Sequence, residues 1–264
     1  MNVLQINKLS HLHNGKSIFF CKTDFIFQAF DSIRHLKNKI IFISGNSDYC
    51  ITDEIASKAP KNIFKWFCQN RLSNNPLLES IPLGVENTVP CEIEGHGHVW
   101  DHAHEKTKLI ESKNFHQVSE TNLAYANFNV HTNPPHRNLV KNHILKLKHV
   151  TWKDPSLDYK SFFQDILNHQ ATICPQGNDR GDNHRIYEVL YAGRVPITFN
   201  RAQYEYLHHI FPTLLINDIQ ELDDYLELKT KINQVKNMVN KNYLNCDYWI
   251  NKILDYEKKC NLIG

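Results

Sequence analysis

The sequence predicts an α/β fold of two Rossmann-like domains facing each other across a cleft, the N-terminal domain being small. Three observations carry this. Short apolar strings alternate with amphipathic stretches along most of the chain, the pattern of βαβ crossovers in parallel sheets. The alternation fades in the polar stretch "CEIEGHGHVWDHAHEKTKLIESKN". This divides the chain into residues 1–118 and 119–264, with a helical tail placed to pack back on the first domain. At 264 residues the chain is long enough for a core in each half.

In the first half, "SIFFC" (17–21) reads as a strand and "DFIFQAFDSIRHL" (24–36) as an amphipathic helix capped by Asp24. "KIIFISG" (39–45) is a buried-strand string, "ITDEIASKA" a short helix, and "NIFKWFCQN" (62–70) another strand. "LLESIPLGVEN" (77–87) reads as a further strand and turn.

The second half is more regular. "NLAYANFNV" (122–130) is a strand, and "PHRNLVKNHILKLK" (135–148) is a helix with proline at its start. "HVTWK" is a short strand, "LDYKSFFQDILNH" (157–169) a helix and "ATICP" (171–175) a strand. "NHRIYEVLYAG" (183–193) is a helix with a glycine stop, and "VPITF" the strand after it. "YEYLHHIF" reads as a helix, "TLLIND" as a strand, and the tail from Asp218 to Cys260 as mostly helical.

Composition narrows the class. Hydrophobic residues at 41% and charged ones at 22% are ordinary for a soluble globular protein, and a formal charge of +2 is too small for a nucleic-acid footprint. The seven cysteines are scattered without a C-x-x-C pair, which points to reduced thiols rather than a disulfide framework or structural zinc. The opening residues lack an apolar leader core, and no run approaches the ~18 apolar residues of a membrane span. A cytoplasmic protein is expected, with peripheral contact at the inner face of a membrane compatible with the sequence.

The stretch "CPQGNDRGDNHRIYEVLYAGRVPI" (174–197) carries the most chemistry. Cys174 and Pro175 end a strand, and Asp182 or Asn183 caps the next helix, so the loop lies at the carboxyl edge of the sheet, where ligands bind. The first turn of that helix is a seat for phosphate. Arg185 lies in this turn and can clamp a diphosphate. Glu188 follows three residues later on the same face and suits two ribose hydroxyls. The plain alternative is a surface ion pair between the two. Ile186, Val189 and Leu190 form the buried face.

This stretch resembles the donor-binding motif of exostosin-like glycosyltransferases, with its C-P-x-G loop, polar run, Arg, Glu, small residue and Gly before an apolar strand. Fucosyltransferases carry a related design, and both have the GT-B fold. "SGNSDY" (44–49), "KWFCQN" (65–70) and "IPLGVEN" (81–87) are similar to N-terminal segments of bacterial members, and "YANFNVHTNPPHR" (125–137) to the opening of their nucleotide-binding domain. The resemblance implies a transferase using a nucleotide-diphosphate sugar, without a metal cofactor and with inversion. Its acceptor would be an oligosaccharide or lipid-linked glycan in surface polysaccharide assembly, such as capsule or lipopolysaccharide. The donor would be held by Asn129, Thr132, Arg137, Pro175, Gly177, Asn178, Asp182, Asn183, His184, Arg185 and Glu188. A histidine would be expected at Gly45, so another group must serve there. The alternatives are a non-catalytic nucleotide- or glycan-binding module of the same fold and a fucosyltransferase-like enzyme.

Asp48 follows a buried strand and is the first candidate for the base that deprotonates an acceptor hydroxyl. The competing reading is an Asx-turn capping the next helix. Glu86, with Asn87, and His96 are further candidates. If residues 98–105 were helical, His98 and His102 would share a face with Asp101 and Glu105 nearby, a zinc-like spacing. A solvated polar linker is the alternative. Trp66, Trp100, Trp152 and Trp249 could stack on sugars, though tryptophan more often belongs to a core.

Overall fold

Strings rich in β-branched and aromatic residues form two parallel sheets in this computed structural model. It describes residues 2–112, 119–155, 158–178, 183–199, 207, 210–238 and 240–263, the last three without their side chains. In the first half the elements are α1 (Ile6–Ser10), β1 (Ile18–Lys22), α2 (Ile26–Ile33), β2 (Ile40–Gly45), α3 (Asp53–Ser57), β3 (Ile63–Cys68) and β4 (Leu78–Ser80). Then come α4 (Ala103–Glu111), β5 (Asn122–Ala126), α5 (Pro134–Ile144), β6 (Val150–Trp152), α6 (Tyr159–Leu167) and β7 (His169–Ile173). The remainder is α7 (His184–Tyr191), β8 (Val195–Phe199), β9 (Leu214–Ile216), α8 (Tyr225–Lys236) and α9 (Cys246–Ile263).

Residues 1–103 and 241–264 form one compact unit and residues 104–240 the other. The first unit holds the sheet β1-β2-β3-β4 and the second the sheet β6-β5-β7-β8-β9, every pairing parallel. Both units are therefore Rossmann-like. No helix among the described residues is long and apolar enough to cross a membrane.

In the first unit, every residue of β2 is buried, as a central parallel strand requires. Phe30 of α2 packs against Phe42 and Trp66 with ring centroids 5.6 and 5.4 Å away. The indole of Trp66 donates to Ser44 Oγ at 2.9 Å, so this tryptophan is buried without an unpaired N–H. Trp249 is also fully buried, donating to the Tyr243 carbonyl, whereas Trp100 is exposed.

Gly84 sits at φ +76°, where its Cα lies so close to the chain near the N-terminus that a Cβ would stand 2.2 Å from the Leu4 carbonyl oxygen. That approach lets the Val85 amide donate to Leu4 O at 3.0 Å.

In the second unit, Ala124, Ala126, Ala171, Val195 and Ile197 are among the sheet residues of a core that includes Val140 and Ile144 of α5 and Leu228 and Ile232 of α8. Pro134 opens α5, and Gly193, at φ +70°, follows the C-cap residue Ala192 of α7 and turns the chain into β8.

The structure departs from the sequence reading at several places. Asp24 caps nothing: it lies inside a 3-10 turn, Thr23–Phe25, and pairs with Lys22 at 3.3 Å. The strand expected across 77–87 is only Leu78–Ser80, because the chain then leaves the sheet edge to meet Leu4 and Gln5. The helices α1 and α4 had no counterpart, being short or weakly patterned. Most of "YEYLHHIF" lies outside the described residues.

Candidate functional site

Parallel strands deliver their following loops to one edge of the sheet, and in the second unit that edge carries a cavity of about 240 Å³. Asn127, Phe128 and Asn129 reach it from the end of β5, Cys174 and Pro175 from the end of β7, and Asn183 from the start of α7. Pro155 and two guanidinium groups, Arg137 of α5 and Arg185 of α7, complete its lining.

Arg185 is fixed on three sides. Its Nε donates to Glu188 Oε2 at 2.9 Å and its Nη1 to the Asn127 carbonyl at 2.5 Å. Its guanidinium carbon stands 4.1 Å from the ring centroid of Phe162, a close cation–π stack. Arg137 is tied in the same manner, Nε donating to the Gln176 carbonyl and Nη1 to the Asn129 carbonyl, each at 2.6 Å. Among the described residues, neither Nη2 has a hydrogen-bond partner. Each arginine is thus held in place by backbone while one edge of its fork is left over.

The electrostatics follow from this placement. Burial pushes the Arg137 guanidinium down to about 10, and the charge of Arg185 pushes in the same direction. No acidic side chain pairs with Arg137 among the described residues. Burial likewise pushes the Cys174 thiol up to about 12, so it lines the cavity as a neutral, unreactive group. A pocket with two cations, one without a counter-ion, at a helix N-terminus is suited to a multiply charged anion.

Glu188 is 2% exposed, unlike a residue on an open ligand-facing surface. Its Oε1 lies 3.0 Å from Nζ of Lys106 on α4, and its Oε2 meets Arg185, so the carboxylate is shared by two cations. The i, i+3 ion pair raised as the plain alternative is therefore present, but buried rather than on the surface. It leaves both carboxylate oxygens engaged with protein cations.

The remaining residues expected on the donor side are distributed as follows. Asn129 accepts from the His131 amide and caps the 3-10 turn Val130–Thr132, which contains Thr132. Gly177 offers its carbonyl to Asn133 Nδ2 at 3.0 Å, and Asn178 is exposed beside it. Asn183 occupies the N-cap of α7, but its side chain makes no capping bond; His184 is the first helical residue. Asp182, with Asp179 and Arg180, lies outside the described residues.

In the first unit, Asp48 is exposed in a bend just past β2, and α3 is capped by the Thr52 hydroxyl instead, at 3.4 Å from the Ile55 amide. Glu86 is half-buried, with Oε1 3.7 Å from His102 Nε2. Asn87 is buried and fully used by the protein: its Oδ1 accepts from the Asn7 amide, and its Nδ2 donates to Asn46 Oδ1 and the His98 carbonyl. His96 accepts the Lys22 amide through Nδ1 at 3.0 Å, so the proton of the neutral ring is on Nε2. Burial lowers its pKa, as does the charge of Lys22.

Helix α4 begins only at Ala103, so His98 and His102 do not share a helical face. Among the described residues no group of three or more His, Cys, Asp or Glu is placed to hold a metal ion.

Three participants had no signal in the sequence reading. Lys106 sits in a polar stretch read as fading pattern, Phe162 in a helix read only as amphipathic, and Asn127 acts through its carbonyl. The basic residue of α4 could be found only by knowing which helix it meets.

No family model and no curated protein matches this sequence. Solved structures do resemble it. The OtsA apo structure gives a TM-score of 0.51 at 11% identity, covering 96% of this chain and 76% of that one. A structure described as trehalose-6-phosphate from E. coli bound with UDP-2-fluoro glucose gives 0.51 at 12% identity, covering 94% and 75%. An alpha1,3-fucosyltransferase gives 0.42 at 10% identity, covering 86% and 82%. At such identities the likeness is one of fold: α/β with two Rossmann-like units, the GT-B type found in glycosyltransferases.

Proposed function

We propose that this chain is a glycosyltransferase that takes its sugar from a nucleotide-diphosphate donor bound in the second unit. The observation that carries the reading is the pair Arg137 and Arg185, each anchored to backbone carbonyls with Nη2 left for a ligand, beside the N-terminus of α7. The fold adds support, since one structure sharing it holds UDP-2-fluoro glucose. The exostosin-like donor motif in 174–197 agrees with both.

In this reading an acceptor hydroxyl oxygen attacks the anomeric carbon of the donor sugar. The bond from that carbon to the diphosphate oxygen breaks, and the diphosphate leaves with the electron pair. Arg137 and Arg185 stabilise its growing charge, the role a divalent cation fills elsewhere, so the reaction is assigned as metal-independent. The acceptor's proton passes to a carboxylate, for which Asp48 is the first choice and Glu86 the second, giving inversion. Glu188 is assigned to the ribose hydroxyls, as the motif resemblance implies. A cytoplasmic role in surface glycan assembly, on an oligosaccharide or lipid-linked acceptor, completes the proposal.

The test is calorimetric titration of the full chain with UDP, GDP and CDP, paired with a donor-hydrolysis assay. Arg185→Ala and Arg137→Ala should each weaken binding of the preferred nucleotide at least ~10-fold, the loss of one charge-assisted contact to phosphate. Unchanged affinity in both folded variants would remove the proposed site. Binding with no turnover across donors and acceptors would leave a nucleotide-binding module.

A further inference from the structure

β1 lies at the edge of its sheet, so the amides of Ile18, Phe20 and Lys22 point outward with no ladder partner. Each is taken by a side chain instead. Asn14 Oδ1 accepts from Ile18 at 3.0 Å, His13 Nδ1 from Phe20 at 3.2 Å and His96 Nδ1 from Lys22 at 3.0 Å. An imidazole that accepts through Nδ1 is neutral and carries its proton on Nε2, the ring nitrogen turned away from the strand. Edge protection thus fixes two neutral N–H donors side by side.

Both imidazoles line a cavity of about 460 Å³ in the first unit, a size that suits a small organic ligand. The rest of its lining is mainly apolar, with Phe19, Phe25, Ala29, Ile33 and Phe42 among its walls. The His96 ring stacks on Phe25 with centroids 4.9 Å apart, and His13 meets Phe19 edge-on at 5.5 Å. None of this belongs to the arginine cavity of the second unit.

We propose that this cavity binds an uncharged ligand with an aromatic or acyl body and an oxygen acceptor that receives the Nε2–H of His13 or His96. The aromatic walls call for the apolar body and the two donors for the acceptor. The absence of charge follows from the strand. A carboxylate would favour the imidazolium, whose Nδ1–H would then oppose the amide N–H of Phe20 or Lys22. Glu94, on the cavity wall, adds repulsion against an anion, and the nearby cation Lys22 is paired with Asp24. The inference stands apart from the donor site and would survive its loss.

The experiment uses the ¹⁵N-labelled full chain near neutral pH, titrated separately with benzamide, toluene and benzoate. Benzamide should shift the Phe20 and Lys22 amide resonances saturably at millimolar concentration. Toluene, which lacks the acceptor, should bind roughly 5-fold more weakly, one neutral hydrogen bond's worth, and benzoate more weakly than benzamide. Ala29→Phe, which fills the cavity, should abolish the shifts. So should Gln28→Trp, placed at an exposed rim position that the fold does not need. The proposal is overturned if benzamide produces no saturable shift, if toluene or benzoate binds as well, or if the shifts persist in both variants.

Discussion

Arg185 Nε lies 2.9 Å from Glu188 Oε2, one turn further along α7, and the carboxylate it meets is 2% exposed. A buried carboxylate survives only with partners, and here Lys106 supplies the second from α4. The three residues carry a net charge of +1, which rises to +2 with Arg137. Glu188 therefore orients Arg185 without cancelling the positive field of the cavity.

Replacing Glu188 by glutamine keeps the shape but leaves Arg185 and Lys106 without their anion. Breaking a buried pair in this way should cost about 3 kcal/mol. That corresponds to a fall of roughly 6–12 °C in the melting temperature of the unit that holds it. Lys106→Met should also destabilise, since it leaves the same carboxylate with one cation. Differential scanning calorimetry measures both, and a melting temperature unchanged in both variants would show that the triad contributes nothing to stability.

Arg137→Lys tests the geometry of the anion site rather than its charge. A lysine keeps the cation but cannot donate to the Gln176 and Asn129 carbonyls and still present a fixed edge to phosphate. Affinity for the preferred nucleoside diphosphate should fall about 10-fold, as titration calorimetry at constant ionic strength would read. Full retention of affinity would mean that charge alone matters there.

How much of this was legible in the chain depends on the range of the interaction. Strings such as "IIFISG" and "VPITF" announce buried parallel strands, because every residue in them is apolar or small. Gly193 and Pro134 mark helix ends for local steric reasons. Residue 185 could be placed at a helix start by counting from the strand before it. The burial of Glu188 was not legible, because α7 is covered on nearly all its faces, and only the tertiary partners Lys106 and Phe162 reveal that. The imidazole acceptors of β1 were hidden for the same reason: His96 is 74 residues from the amide it holds. Short helices such as α1 carry too few turns for a periodic signal.

His13, His96 and His169 all have pKa values lowered from 6.5, in each case mainly by burial. For His96 the nearby charges are Lys22 and His13, which lower it further, and Asp24, which raises it. The unfolded chain then binds protons more readily than the folded one, so stability rises with pH through this range. The contribution is complete above pH 6.5 and is lost as pH falls through the lowered values. Urea midpoints measured across the acid range should decline more steeply in the native chain than in a His13→Asn, His96→Asn double variant. Amide exchange at Phe20 and Lys22 should gain protection with rising pH relative to intrinsic rates. Parallel urea curves for the two proteins would argue that these imidazoles are not held neutral by the strand.

Gly45 ends β2 at a position where an added side chain would be crowded. A Cβ there would stand 3.0 Å from Cδ1 and Cγ1 of Ile6, and 3.3 Å from Gln69 Oε1. The helix α1 thus fills the space that a side chain at 45 would need. Gly45→His should cost roughly 1–3 kcal/mol through overpacking. Ile6→Ala alone should cost about 2–5 kcal/mol, since Ile6 is fully buried. Combined, the two changes should cost less than their sum by about 1 kcal/mol or more, because the cavity left by one receives the ring added by the other. Denaturant unfolding of the four proteins closes the cycle. Strict additivity would show that Ile6 is not what excludes a side chain from position 45, and that another neighbour, Gln69 first, must be tested in its place.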